Sequence, residues 1–551
     1  MTPEGFIQAA APPQAASEAS RGGRIDAALE WLGERCNPIL VKEARQALKS
    51  RQFVLTFGLL LIAAWAWSLI GLVMMGSDAA FGQTGPSMFM GYYVILAASL
   101  GLFVPFGAFR SLAGEQEDRT YELLSITDLS PAQIVSGKLG SAVVQMLIYL
   151  SAVAPCLAFT YMLRGLSLPT ILLVVGYTTA LSLGLSVVGL LAGTLTSEKH
   201  WQVLLSVALI VGLLFVFGWT VGGTGELVFS SNFDFRDAEF WQVVGAIATA
   251  YVTYFALAFF AAVARITFAS DNRSTRLRMV MLVQHVCCTA WFGWLALTHG
   301  TLEEGTLYVF LSLIGFHWYI MGALMTGEWP ELSMRVKRRL PQSFLGRVLF
   351  TWFNPGPGTG YMFACCGMIA GGLTAVAILT AGGLLGLGVR RAYGPEQVIA
   401  FAVLAPAYVI AYLGAGLLIV RLARRLFPTA LPVAALIQVI LVLVGVAGPL
   451  VLESIAGRDA FRSYSLIQIS NPFWSIIHLA DRSAMPPEAP ILLAAVPFAA
   501  LVLFLLNLPG ILHEVRQVRV AKPRRVTEED DQIAAEKSPH QPVQISPWDT
   551  L

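Results

Sequence analysis

The sequence predicts an all-α polytopic membrane protein: about twelve transmembrane helices in two six-helix halves, with both termini cytoplasmic. Three observations lead there. Of 551 residues only 13% are charged and 56% are hydrophobic, whereas soluble chains carry about 25% charged residues, so the polar surface that a soluble protein of this length needs is missing. The apolar residues fall in runs bounded by charges or by Gly/Pro clusters, each near the ~20 residues that cross a bilayer. The basic residues, finally, alternate from loop to loop.

The first six runs cover residues 53–75, 88–109, 139–163, 169–193, 201–223 and 241–264, and the second six cover 279–299, 306–326, 361–389, 397–420, 429–452 and 491–512. With the amino terminus inside, only Arg164, Arg236, Arg390, Arg391, Arg458, Arg462 and Arg482 of the 36 Lys and Arg fall in outside loops, and the other 29 face the cytoplasm. That is the positive-inside distribution. Residues 265–278 and 335–347 are the clearest inside anchors, read as fixing topology and meeting anionic headgroups. The domain layout that follows is a disordered tail over 1–24, an amphipathic interfacial helix over 25–52, a first six-span half over 53–264, a cytoplasmic linker over 265–278, a second half over 279–512 and a disordered cytoplasmic tail over 513–551. That last segment mixes basic and acidic patches with a Pro-rich end, too polar to fold alone.

Several function classes drop out. A formal charge of +2 with no strongly basic domain argues against nucleic acid as a partner. The six cysteines show no CxxC or Cys/His spacing, so neither a metal site nor a disulfide framework is expected. The first twenty residues lack a basic start followed by an apolar stretch, so no cleaved signal peptide is expected. No His/Asp/Glu/Cys cluster supports catalysis, and no catalytic residue is assigned. His285 and His317 lie in the seventh and eighth spans without an acidic neighbour one turn away and read as structural. Coupling to an ion gradient therefore has no visible intramembrane charge to work with.

Two segments carry information. In the first, Asn37 suits an N-cap and Pro38 the first helical position. Leu40, Val41, Ala44, Ala47 and Leu48 share one face of the helix that follows; Lys42, Arg45, Gln46 and Lys49 point elsewhere, and Glu43 lies among them. Such a helix either lies in the headgroup plane or leads into the first span from the cytoplasm. The second is the loop between spans two and three, where topology calls for Lys and Arg. It holds Glu115, Glu117, Asp118, Glu122 and Asp128 instead, beside an apolar ridge of Leu123, Leu124, Ile126 and Leu129. Ser130-Pro131 reads as a cap and first turn. Acids and leucines held at a membrane surface are what docking to a soluble partner requires.

A basic amphipathic helix, two spans, an E-x-E-x-x-T-x-E-L-L segment ending in L-S-P and four further spans resemble the permease of type-2 ABC transporters. The resemblance covers residues 37–264 and rests on Glu115, Glu117, Thr120, Glu122, Leu123, Leu124, Leu129, Ser130, Pro131 and Lys138, with Asp118 and Arg119 inside the same segment. It implies that this segment contacts a cytoplasmic ABC ATPase subunit and passes its movement to the spans. It also implies a chain that carries substrate, in the export direction, across a bacterial cytoplasmic membrane. No cofactor is expected in the chain itself; ATP and Mg would sit on the ATPase. The sequence agrees, because it has no G-x-x-x-x-G-K-[ST] loop: Gly137-Lys138 is followed by Leu139, and position 132 is Ala. The lipid bilayer is a partner in any case, and a second permease chain stays open as another. Two other classes also stay open: a twelve-span secondary transporter and a non-transport membrane scaffold.

The second half echoes the first. Gly114-Glu115, Leu124-Ser125, Leu129-Ser130-Pro131 and Gly137-Lys138 are followed in order by Gly327-Glu328, Leu332-Ser333, Leu340-Pro341 and Gly346-Arg347. Its Glu-rich stretch is replaced by Arg335, Lys337, Arg338 and Arg339. The run from Phe353 to Gly360 reads as a rigid turn, a hinge or simply a loop, with no chemistry attached. The pairs Gly189/Gly193, Gly367/Gly371 and Gly382/Gly386 suit close helix packing.

Overall fold

A computed structural model describes residues 37–75, 84–117, 129–195, 198–230, 235–268, 270–298, 301–338, 340–341, 343–384, 388–390, 395–426, 431–457, 464–480, 485–517, 519–520 and 523–537. Twelve helices in it are long and apolar enough to cross a membrane. The chain separates at Thr267 into two compact units, and each contains six of those helices.

The first unit opens with α1 (Pro38–Lys49), which starts where the sequence says: Asn37 Oδ1 accepts the Ile39 amide at 3.1 Å and Pro38 occupies the first turn. The spans are α2 (Arg51–Met75), α3 and α4 (Gly85–Ala98 and Val104–Glu117, one continuous rod), α5 (Pro131–Met162), α6 (Leu168–Gly193), α7 (Lys199–Phe229) and α8 (Ala238–Ile266). Ser130 and Gln133 form a reciprocal capping box at the start of α5, which satisfies amides that nothing in a helix can reach. Between α3 and α4 the rod passes through a π-helical segment, Ser99–Phe103. Pro105 follows and has no amide to donate. The carbonyl of Leu100 accepts from Ser182 Oγ on α6 at 2.5 Å, because an unpaired carbonyl inside a bilayer is costly.

The π segment marks a border. Above it, Met88, Tyr92, Tyr93 and Leu96 pack with Leu60, Met146 and Tyr149 in one apolar cluster that reaches as far as Val104. Below it, Ala108 and Leu112 join Ile39, Ile134, Val135, Leu190, Val263 and Ile266 in another. The lower part is held by close backbone approach. A methyl group on Gly189 would fall 2.6 Å from the Pro105 carbonyl oxygen, and one on Gly193 would fall 2.9 Å from that of Phe109.

The second unit comprises the spans α9 (Thr275–Thr298), α10 (Glu304–Met325), α13 (Pro357–Leu384), α14 (Pro395–Leu426), α15 (Leu431–Ile455) and α17 (Ala489–Val515), with shorter helices between them: α11 (Met334–Arg338), α12 (Phe344–Phe350) and α16 (Pro472–Ala480). Two three-residue strands, β1 (Thr301–Glu303) and β2 (Gly388–Arg390), pair in parallel beyond the ends of α9 and α13. Gly367 and Gly371 admit Trp318 and Ile314 of α10 against α13, as the small-residue spacing predicts; Gly386 lies outside the described residues. Between α15 and α17 a 3-10 turn and α16 fold back against α14. The buried Glu453 accepts there from Ser465 and Gln468, and the Tyr464 ring stacks on His478 at 4.2 Å.

Three expectations change. Helix ends run past the apolar runs, so that α5 starts eight residues before position 139 and α14 continues to Leu426. The segment after Leu512 is partly ordered. Val515 ends α17, Gln517 bonds to Leu332 N and Pro330 O at 3.0 and 2.8 Å, and α18 spans Arg524–Lys537. Lastly, the basic stretch 265–278 does not consist of headgroup anchors alone, because Arg278 is fully buried.

Candidate functional site

Three elements of the first unit meet at Lys138. It lies in the second turn of α5, in an apolar stretch flanked by Gly137 and Gly140. Both glycines let α1 come close: a methyl on Gly137 would stand 2.8 Å from Ile39 Cβ, and one on Gly140 2.8 Å from Leu40 Cδ1. Asn37 Nδ2 also donates to Gln133 O at 2.5 Å. This packing turns Ile39 and Glu43 inward, whereas an amphipathic helix resting on lipid would turn only its apolar stripe there.

The ammonium of Lys138 has three protons and finds three acceptors: Glu43 Oε1 at 3.1 Å, Glu115 Oε1 at 3.0 Å and the Ser111 carbonyl at 3.1 Å. The side chain of Lys138 is 1% exposed, that of Glu43 10% and that of Glu115 14%. Lys42 approaches Glu115 from the solvent side at 4.0 Å, so two cations balance two carboxylates. Burial on this scale is tolerable only when every charge is paired. The result is an ionic clamp joining α1, the last turn of α4 and the second turn of α5.

The residues singled out by sequence divide accordingly. Pro38 begins α1; Leu40 is half-buried against Gly140; Lys42, Arg45 and Lys49 are exposed. Glu115 and Lys138 face each other and not the solvent. Glu117 faces outward, 42% exposed, and pairs with Lys199 at 3.1 Å. Leu129 packs against the lower apolar cluster, while Ser130 and Pro131 cap and start α5. Asp118, Arg119, Thr120, Glu122, Leu123 and Leu124 lie outside the described residues. Sequence reasoning missed the Glu43–Lys138 pair. Its signal was a lone lysine between two glycines three residues apart, a notch for a second helix.

The second unit holds a comparable knot built differently. Arg278 of α9 donates to Glu328 Oε2 at 2.5 Å, to Trp352 O at 2.6 Å, and to Thr359 Oγ1 and Gly356 O at 3.1 Å each. Glu328 also accepts from Gly356 N at 2.7 Å and Ser274 Oγ at 2.6 Å. Glu514, near the end of α17, accepts the Gly358 and Thr359 amides at 2.9 Å. The Phe353–Gly360 run thus has a structural task, wrapping its backbone around an arginine and a carboxylate. Gly356 has φ +153°, and a methyl there would fall 2.5 Å from Glu514 Oε2. The repeat suggested by sequence sets Arg347 against Lys138, but the base that meets Glu328 is Arg278, and Arg347 is exposed.

Inside the spans, His285 Nδ1 accepts from Trp318 Nε1 at 3.1 Å, and the His317 ring stands edge-on to Trp318. Five cysteines, Cys156, Cys287, Cys288, Cys365 and Cys366, are free thiols. Among the described residues no three His, Cys, Asp or Glu side chains gather as a metal site would need. Compared with known proteins, the chain matches no family model, no curated sequence and no solved structure.

Proposed function

We propose that the chain is the membrane-spanning permease of an ABC-type transporter, working as an exporter in a bacterial cytoplasmic membrane and powered by a separate ATPase subunit that supplies ATP and Mg. In this reading the two units are two permease halves, related as a degenerate repeat, with both termini in the cytoplasm. The observation that carries it is the Lys138 clamp. The acidic segment begins at one of its members, Glu115, and ends at Pro131, in the helix that carries another, Lys138. A push on that segment would reach α1, α4 and α5 together and not a single helix. The resemblance of residues 37–264 to type-2 permeases supports the same assignment.

The test separates docking from folding. Glu115 is buried, so reversing its charge would disturb the fold; Glu117 and Glu122 are the informative positions. The full chain, co-expressed with the ATPases of its source, should bring one down on purification. The pair Glu117→Lys and Glu122→Lys should weaken that capture and abolish ATP-driven transport while leaving the melting temperature of the chain unchanged. Absence of any co-purifying ATPase, or full transport by the double variant, overturns the proposal.

A further inference from the structure

The segment between α10 and α13 is a folded foot. Leu332, Val336 and Leu340 bury one another, Gln517 fastens Leu332 and Pro330 from the other side, and Arg335 meets Asp271 at 2.9 Å. On this base stands α12, capped by Ser343 Oγ, which accepts the Gly346 amide at 3.1 Å. Leu345 is 71% exposed, Val348 49%, Leu349 63% and Phe350 57%. Leu345, Val348 and Leu349 are spaced i, i+3 and i+4, so they line one face, and Arg347 leaves from the other side.

The depth of α12 is fixed by its neighbours. Immediately after it, Trp352 O accepts from Arg278 Nη1 at 2.6 Å and Phe353 O from Thr275 Oγ1 at 2.9 Å. Both donors belong to the first turn of α9, and α13 begins at Pro357. The helix therefore lies level with the starts of two spans, where acyl chains give way to headgroups. A run of large apolar side chains left open there marks a contact surface. On α12 Arg347 is exposed, and on α11, in the same segment, Lys337 and Arg338 are half-exposed.

We propose that α12 is an interfacial lipid foot: its Leu345–Val348–Leu349 face lies among acyl chains, and Lys337, Arg338 and Arg347 hold the phosphates of anionic phospholipids. Charge complementarity selects the lipid, since guanidinium and ammonium groups pair with phosphate and each basic group near an anionic leaflet strengthens attachment. This inference does not depend on a motor subunit.

The full chain, with its native cysteines replaced and Leu349→Cys carrying an environment-sensitive fluorophore, is reconstituted in vesicles containing either brominated phosphatidylglycerol or brominated phosphatidylcholine. The fluorophore should be quenched in both, and more strongly by phosphatidylglycerol at equal mole fraction. That preference should fall by up to about fivefold for each of Lys337→Gln, Arg338→Gln and Arg347→Gln, with the melting temperature held. Quenching by aqueous iodide and by neither lipid overturns the foot. Equal quenching by the two lipids overturns anionic selection, and protection that appears only when a soluble protein is added assigns the face to that protein instead.

Discussion

Lys138 Nζ donates to Glu43 Oε1 at 3.1 Å, joining residues 95 positions apart. Replacing one member of a buried ion group strands the others, at a cost of about 3–5 kcal/mol. Lys138→Met should therefore lower the unfolding midpoint in detergent sharply. Adding Glu43→Gln and Glu115→Gln to it should recover most of the loss, because the neutral triple variant leaves no buried charge. A single variant that unfolds like the parent would show that the clamp contributes nothing.

Close approach of α4 to α6 gives a second prediction. Gly189→Leu or Gly193→Leu drives a side chain into helix backbone and should cost at least about 1–3 kcal/mol. Gly58, in α2, has open space around it, with nothing within 4 Å of where a methyl group would stand. Gly58→Ala should be neutral or stabilising by up to about 1 kcal/mol. Thermal melts of the purified variants distinguish the two sites.

At the π segment, Ser182→Ala removes the donor to the Leu100 carbonyl. Interhelical hydrogen bonds in membranes contribute about 0.6–1.7 kcal/mol, so the global loss should be modest. Local opening is the sharper readout: amides over 99–104 should exchange with deuterium faster in the variant than in the parent. Amides over 108–113, fixed by α6, should not change.

Gly356 supports a fourth. Its φ of +153° and its contact with Glu514 leave no place for a side chain. Gly356→Ala should destabilise the second unit by about 1–3 kcal/mol from backbone strain, with the clash added. Gly293→Ala, in open space on α9, is the control in the same melting assay.

The spans are legible in the sequence because a bilayer demands one property over about twenty residues, and twelve such runs stand out whatever packs against them. Caps at Asn37 and Ser130 are legible for the same local reason. Long-range pairing is what stays hidden. Glu43 and Lys138, or Arg278 and Glu328, are far apart in sequence, and a charge that meets its opposite inside looks on paper like one that meets a headgroup. The apolar foot at Leu345–Phe350 is hidden too, since a seven-residue helix is too short for a span and its basic neighbours already satisfy the positive-inside distribution.

Glu514 and Gln517 give the second unit a distinctive order of assembly. The clamp of the first unit can close once residue 138 has been made. In the second, the Gly358 and Thr359 amides and the Pro330–Leu332 backbone wait for partners more than 150 residues downstream. On a growing chain that unit stays unlatched until its last span is threaded. A chain stopped before residue 489, where the last span begins, should therefore be met by membrane quality control with five spans inserted in that unit and its base still open.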